Sequence, residues 1–223
     1  AKLGLYCEFF YHPRGLDVGF DPEFPFQQEV HPCRINLKNV NNLVHMPQTD
    51  AGISPTKFQA DTYPEPFRGK ITIAHDGIDT GQLVPDPKVD ITINKVIKLT
   101  RADEIVTFAS RNLEPCRGFH IFMRALPELL TQRPKARVLI VGSTTEGYGP
   151  LPPQGGTWKD VLVEEVRPKV KNSDWERVHF LGLLPYNYFL NLLQISTIHV
   201  YLTYPFVLSW SLLEAMQKHL NEL

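Results

Sequence analysis

The sequence predicts an α/β fold with parallel strands, on three observations. Residues 104–142 read as strand, loop, helix and strand in that order. The pattern recurs downstream, with apolar strands expected at 178–181 and 198–202 and an apolar helix between them. Upstream, shorter strands at 51–54 and 71–74 flank a helix start. Strands alternating with helices at this spacing indicate a doubly wound architecture, because parallel neighbours need a crossover long enough to hold a helix.

The stretch 104–142 organises the rest. Ile105, Val106, Thr107, Phe108 and Ala109 form an apolar run too short for a helix and rich in β-branched and aromatic residues, hence a buried strand. Phe119, Phe122, Met123, Leu126, Leu129 and Leu130 recur three and four apart, one face of an amphipathic helix that Pro134 closes. A second strand over 138–141 ends on Gly142. The unit is a βαβ crossover of right-handed sense. Its first loop, 110–118, carries Arg111, Glu114, Arg117 and Gly118 where open α/β sheets place ligands, beyond a strand's carboxyl end and at a helix N-terminus. Free N–H groups there favour an anion, and guanidinium forks add bidentate phosphate donors. The loop reads as a phosphate cradle. The competing reading pairs the arginines with Glu104 and Glu114 as solvated surface charges, and pattern alone leaves both open.

Before this unit, residues 2–11 read as a strand running into an irregular loop, 12–26, crowded with proline, glycine and aromatics. Asp17, Asp21 and Glu23 could meet sugar hydroxyls, and Phe20, Phe24 and Phe26 could stack on a sugar or simply pack the loop down. A short helix is expected within 30–50, and another opening at Ser54-Pro55-Thr56, with serine as cap and proline in the first turn. The strand at 71–74 ends in His75-Asp76-Gly77-Ile78-Asp79, read as a turn in which Gly77 supplies a permissive backbone and an aspartate bonds locally. Pro85, Asp86 and Pro87 mark a linker, giving domains over 1–85 and 86–223.

Beyond Gly142, the loop 143–156 holds four glycines and three prolines, the composition of a flap. It lacks the Gly-Lys-Ser/Thr end of a nucleotide P-loop. Trp158, Val161, Leu162 and Val166 mark a helix stopped at Pro168, and a further helix spans 186–193. The last loop, 204–211, feeds a helix that carries Glu214.

Composition narrows the function. The 223 residues are 43% hydrophobic and 21% charged, the balance of a globular protein. A net charge of −1 gives no general attraction to nucleic acid or an anionic membrane. Cys7, Cys33 and Cys116 show no metal-ligand spacing and fit a reduced, cytosolic protein. No apolar run approaches the ~20 residues needed to cross a bilayer, and no signal-peptide pattern opens the chain.

Taken with residues 178–216, the central stretch resembles the group 1 family of retaining glycosyltransferases, which carry two facing Rossmann-like domains (the GT-B type). The family pattern Gly-Arg-Leu, three variable residues, Lys-Gly corresponds to Ser110-Arg111-Asn112-Leu113-Glu114-Pro115-Cys116-Arg117-Gly118, with Arg117 in place of lysine. Leu213-Glu214-Ala215-Met216 matches the second of two signature glutamates, and Phe206 stands where the first is expected. The turn at His75 resembles the family's Asn-Gly-Val-Asp. The resemblance runs from about His75 to Met216 and implies that both domains are incomplete in this chain, so that alone it is expected to be poorly stable or inactive. It further implies an acceptor-side domain in 1–85 and a donor-binding domain in 86–223. Arg111 and Arg117 would act on the diphosphate catalytically and in binding, Gly118, Val207 and Leu208 would line the donor, and Glu214 would hold the ribose hydroxyls. The partners implied are a nucleotide-diphosphate sugar and a glycan or lipid-linked acceptor, with no cofactor, no metal and no nucleic acid. Such a hexosyl-type enzyme of polysaccharide biosynthesis would be cytoplasmic, with peripheral attachment to the inner face of the membrane as one arrangement for the full-length protein. Two alternatives stay open: a catalytically degenerate nucleotide-sugar or glycan-binding module, to which Phe206 points, and an epimerase or phosphorylase on the same architecture.

Overall fold

The computed structural model describes residues 2–16, 18–25, 31–81, 84 and 86–219, without the side chains of His31 and His219. Of the features expected above, Asp17, Phe26 and Pro85 lie outside the described residues. The chain divides into two compact units, Ala1–Gly77 with Tyr204–Ser209, and Ile78–Thr203 with Trp210–Leu223. Among the described residues no helix is long and apolar enough to cross a membrane.

The first unit holds β1 (Gly4–Tyr6), α1 (His31–His45), β2 (Ala51–Ser54), α2 (Lys57–Asp61) and β3 (Ile71–Ile73). Its three strands are parallel in the order β1-β2-β3. The expected first strand is shorter than its apolar pattern. Only Gly4–Tyr6 pairs in register, and Cys7 follows with its N–H 2.7 Å from the Ile53 carbonyl. The cap of α2 is Thr56 rather than Ser54. Thr56 Oγ1 accepts the Gln59 N–H at 3.1 Å and donates to Gln59 Oε1 at 2.9 Å, a reciprocal capping arrangement, while Ser54 is buried at the end of β2. The turn after β3 forms as expected. Gly77 has φ 80, its N–H meets His75 Nδ1 at 2.8 Å, and Asp79 accepts the Gly81 N–H at 3.0 Å.

The second unit opens with β4 (Asp90–Ile93) and β5 (Ile97–Thr100), an antiparallel hairpin that the sequence pattern did not reveal. Its turn uses Asn94 and Lys95, both at positive φ, and contains no glycine to signal it. There follow β6 (Ile105–Asn112), α3 (Phe119–Gln132), β7 (Arg137–Ser143), α4 (Trp158–Val166), α5 (Asn172–Trp175), β8 (Val178–Gly182), α6 (Tyr186–Ile195), β9 (Ile198–Val200) and α7 (Trp210–His219). The sheet is four-stranded and parallel, in the order β8-β7-β6-β9.

Both faces of that sheet are covered, which is why its strands read as unbroken apolar runs. Side chains alternate in direction along a strand. Val106, Phe108, Val138, Ile140 and Val178 pack with Phe119, Phe122, Met123, Leu126 and Leu130 of α3 and Leu162 and Val166 of α4. The Phe108 and Phe122 rings stack at 4.8 Å. Ile105, Ala109, Leu139 and Val141 face the other way, onto Leu192 and Ile195 of α6 and onto Ile93 and Leu99 of the hairpin.

Candidate functional site

The strand order reverses between β6 and β9. From β6 the chain builds outward through β7 to β8, then returns to β9 on the far side of β6. Open sheets bind ligands beyond the carboxyl ends of the strands at such a reversal, where successive connections leave on opposite sides. Here the two loops meet at Gly118 and Leu202. Gly118 has φ 72, and a Cβ on it would lie 2.3 Å from Leu202 Cβ and 2.5 Å from the Leu202 carbonyl oxygen. Only glycine fits. Next to it, the Arg117 guanidinium donates to Thr203 Oγ1 at 3.2 Å. Gly118 also opens α3, its carbonyl accepting the Phe122 N–H at 3.0 Å, so the first-turn amides of that helix begin at this reversal.

β6 runs further than the apolar pattern. The expected loop start, Ser110-Arg111-Asn112, is strand, carried past Ala109 by a bulge to the Asn112–Ser143 pair, with the Leu113 N–H on the Ser143 carbonyl at 2.8 Å. An added residue in a strand re-aims its side chains. Arg111 stands exposed, while Asn112 and Leu113 are buried. Among the described residues the Arg111 side chain takes part in no ion pair or hydrogen bond.

The pairing of the cradle arginines with Glu104 and Glu114 is not what forms. Glu104 binds Arg133 at 2.5 Å. Glu114 is buried, and its carboxylate accepts the Gly149 N–H at 2.8 Å and the Tyr148 N–H at 3.2 Å. Asn112 adds bonds from Nδ2 to the Thr145 carbonyl at 3.1 Å and to Thr145 Oγ1 at 3.2 Å. The first half of the glycine-rich segment is therefore tied to the end of β6. A Cβ on Gly147 would sit 2.5 Å from the Glu114 carboxylate, so the glycine there reflects the closeness of this approach. Tyr148 is brought under the Arg117 guanidinium, 5.5 Å from ring centroid to Cζ, a cation–π geometry.

Glu214 is buried on the second turn of α7 and accepts a hydrogen bond from Tyr186, at the start of α6, at 2.7 Å. Desolvation and then this carboxylate push the Tyr186 phenol up to about 12, although half of that side chain faces solvent, so it is a donor at physiological pH. One turn along α7, Lys218 is buried with Nζ 3.5 Å from the Val84 carbonyl. Its burial lowers the ammonium pKa, against the pull of Asp86 and Glu214.

The remaining expected donor residues, Val207 and Leu208, fall in Tyr204–Ser209, which belongs to the first unit. There Phe206 packs on Phe9 at 4.8 Å and on Tyr11 at 6.1 Å between ring centroids. Tyr204 donates to Asp21 at 2.6 Å, and Phe20 lies against the Tyr204 ring at 4.9 Å, so this acidic and aromatic pair of the early loop packs the loop down. The structure therefore gathers Arg117 and Gly118 at the strand reversal, with Arg111 at the end of β6, and shows Glu214 engaged with Tyr186. An open cavity of about 470 Å³ lies along the carboxyl ends of β6, β7 and β8, lined by Leu113, Gly142, Ser143, Lys159 and Gly182 among others. That is within the range of small-ligand sites.

Comparison with known proteins agrees with this architecture. Residues 1–83 match the family model described as glycosyl transferase family 4 group. No curated protein matches the chain significantly. Among solved structures, TarM of S. aureus, in complex with fondaparinux, alpha-GlcNAc-glycerol and UDP, superposes with a TM-score of 0.60 at 15% identity, covering 98% of this chain and 35% of that one. An E. coli structure described as trehalose-6-phosphate bound with UDP-2-fluoro glucose gives 0.59 at 11% identity, over 97% and 50% of the respective chains. Sucrose-phosphate synthase from Thermosynechococcus elongatus gives 0.56 at 16%, over 81% and 42%. The α/β fold with parallel sheets is that of the GT-B glycosyltransferases. The chain spans half or less of the length of each of these three structures.

Several contacts escaped the sequence. Asn112 donates to the Thr145 carbonyl and hydroxyl, and Glu114, singled out by its place in the loop, accepts from the Tyr148 and Gly149 backbone N–H groups; neither set of partners carries a sequence signal. Tyr186 meets Glu214 across 28 residues, and a lone tyrosine at a helix start gives no spacing cue.

Proposed function

We propose that this chain forms the core of a retaining glycosyltransferase that moves a hexosyl group from a nucleotide-diphosphate sugar to a glycan or lipid-linked acceptor. The observation that carries the reading is the strand reversal between β6 and β9, where Arg117, Gly118 and the N-terminus of α3 come together, with Arg111 exposed near the end of β6. In this reading the second unit binds the donor and the first serves the acceptor. Arg111 and Arg117 hold the diphosphate and stabilise the charge that grows on it as the sugar's anomeric bond breaks. They supply the positive charge that a metal would otherwise bring, so no metal or other cofactor is assigned. Glu214 accepts from the ribose hydroxyls. The UDP and UDP-2-fluoro glucose in the two solved structures of like fold support a nucleotide-sugar donor. We place the full-length protein in the cytoplasm, peripheral to the inner face of the membrane, where a lipid-linked acceptor would be met, with no role for nucleic acid.

Phe206 favours a second reading, a binding module that has lost transfer, because an aromatic ring packed on Phe9 and Tyr11 stands where the resemblance expects a carboxylate. Calorimetric titration with UDP, GDP and their nucleosides tests the site itself. Arg111→Ala should weaken the diphosphate by roughly 1.5–3 kcal/mol, the scale of a charged hydrogen bond, and the nucleoside much less. Equal effects on both ligands, or none, would remove the phosphate role. Incubation with UDP- and GDP-sugars and an acceptor, with the anomeric proton followed by NMR, separates transfer with retention from binding alone.

A further inference from the structure

We propose that Tyr186 is a positioning residue for Glu214, fixing one carboxylate oxygen so that the other is presented to a vicinal diol. The proposal rests on the reading of Glu214 as the ribose acceptor. The phenol reaches Glu214 Oε1 at 2.7 Å, and among the described residues no donor reaches Oε2. Oε2 is also not among the side-chain oxygens sealed from solvent, so it stays open to donors from outside the protein, which a cis-diol supplies. Holding Oε1 also sets the plane of the carboxylate. A bidentate contact with two neighbouring hydroxyls depends on that plane, since both donors must meet lone pairs lying in it.

The two residues are well placed for this. Tyr186 opens α6, directly after the carboxyl end of β8, and Glu214 lies on α7, which packs against α6. Lys218, one turn beyond, is held at the Val84 carbonyl and donates there rather than to Oε2. The phenol is therefore the partner that orients Glu214. It is half exposed, so its ring is no structural plug, and removal of the hydroxyl alone leaves the packing in place.

The measured quantity is discrimination between UDP and 2′,3′-dideoxyuridine diphosphate by the full chain, with the guanosine pair as a second probe. The wild-type protein should favour the ribose form, and Glu214→Gln should abolish most of that preference. Tyr186→Phe should reduce the preference roughly tenfold while binding of the dideoxy form stays unchanged. Thermal melts of Tyr186→Phe should match the wild type, and Tyr186→Trp, which restores a ring N–H donor at a different reach, should not recover the preference. If the wild type binds neither diphosphate, or binds both sugars alike, the assignment of Glu214 itself fails. If the wild type discriminates and Tyr186→Phe discriminates equally, Glu214 keeps its role and the positioning proposal falls. Tighter UDP binding by Tyr186→Phe would overturn it too, since the phenol would then be a competitor for the carboxylate.

Discussion

Gly118 and Leu202 touch so closely that a single added carbon on the glycine would stand 2.5 Å from the Leu202 carbonyl oxygen. This contact joins the loop after β6 to the segment after β9, at the point where the strand order reverses. The obstacle is backbone rather than a side-chain tip, so no rotamer change relieves it.

Gly118→Ala should therefore destabilise the second unit. The positive φ alone costs about 1–2 kcal/mol for an L-residue, and the clash adds to it. A urea melt should show a drop of at least about 2 kcal/mol, with the change in midpoint rather than slope. An unchanged midpoint would mean that the two loops part freely.

Glu114→Gln tests whether the carboxylate holds the flap. The amide keeps the size but exchanges one acceptor oxygen for a donor, placed toward the N–H groups of Tyr148 or Gly149. Hydrogen exchange at those two amides should accelerate at least about tenfold. Exchange in α3 should stay as it is. Uniform acceleration through the unit would assign Glu114 to global stability instead.

A third expectation concerns pH. His179 on β8 is buried, and desolvation and then the Arg137 guanidinium lower its pKa. Arginine can only donate, so the 3.2 Å contact requires His179 Nε2 to be the unprotonated nitrogen. The unfolded chain, titrating near 6.5, binds a proton more readily than the folded one. Stability from this site is thus complete above about pH 6.5 and is lost as pH falls through the lower folded value. Melting temperatures measured between pH 7.5 and 5 should fall less in His179→Gln than in the wild type. Equal slopes would show that the histidine does not contribute.

The parallel core was legible because burial on both faces leaves its mark in composition. Residues 105–109 and 138–141 read as strands from apolarity alone, and α3 from its spacing. The hairpin β4–β5 was missed because Asn94 and Lys95 adopt positive φ without a glycine. The end of β6 was missed because Ser110, Arg111 and Asn112 look like loop, and only their pairing with the neighbouring strand makes them sheet. Of the site, the charged residues and Gly118 stood out by type. Their partners did not, since Glu114 acts on main-chain amides and Tyr186 acts across two helices.

The irregularity in β6 has a consequence for how such a site can change. In a strand, direction is a matter of parity, and the extra residue between Ala109 and Asn112 resets the count. Deleting one residue there would exchange odd for even and send the guanidinium of Arg111 to the opposite face of the sheet. Point substitutions at neighbouring positions cannot make that exchange. The length of this short segment therefore encodes the direction of the charge as firmly as the arginine codon encodes its presence.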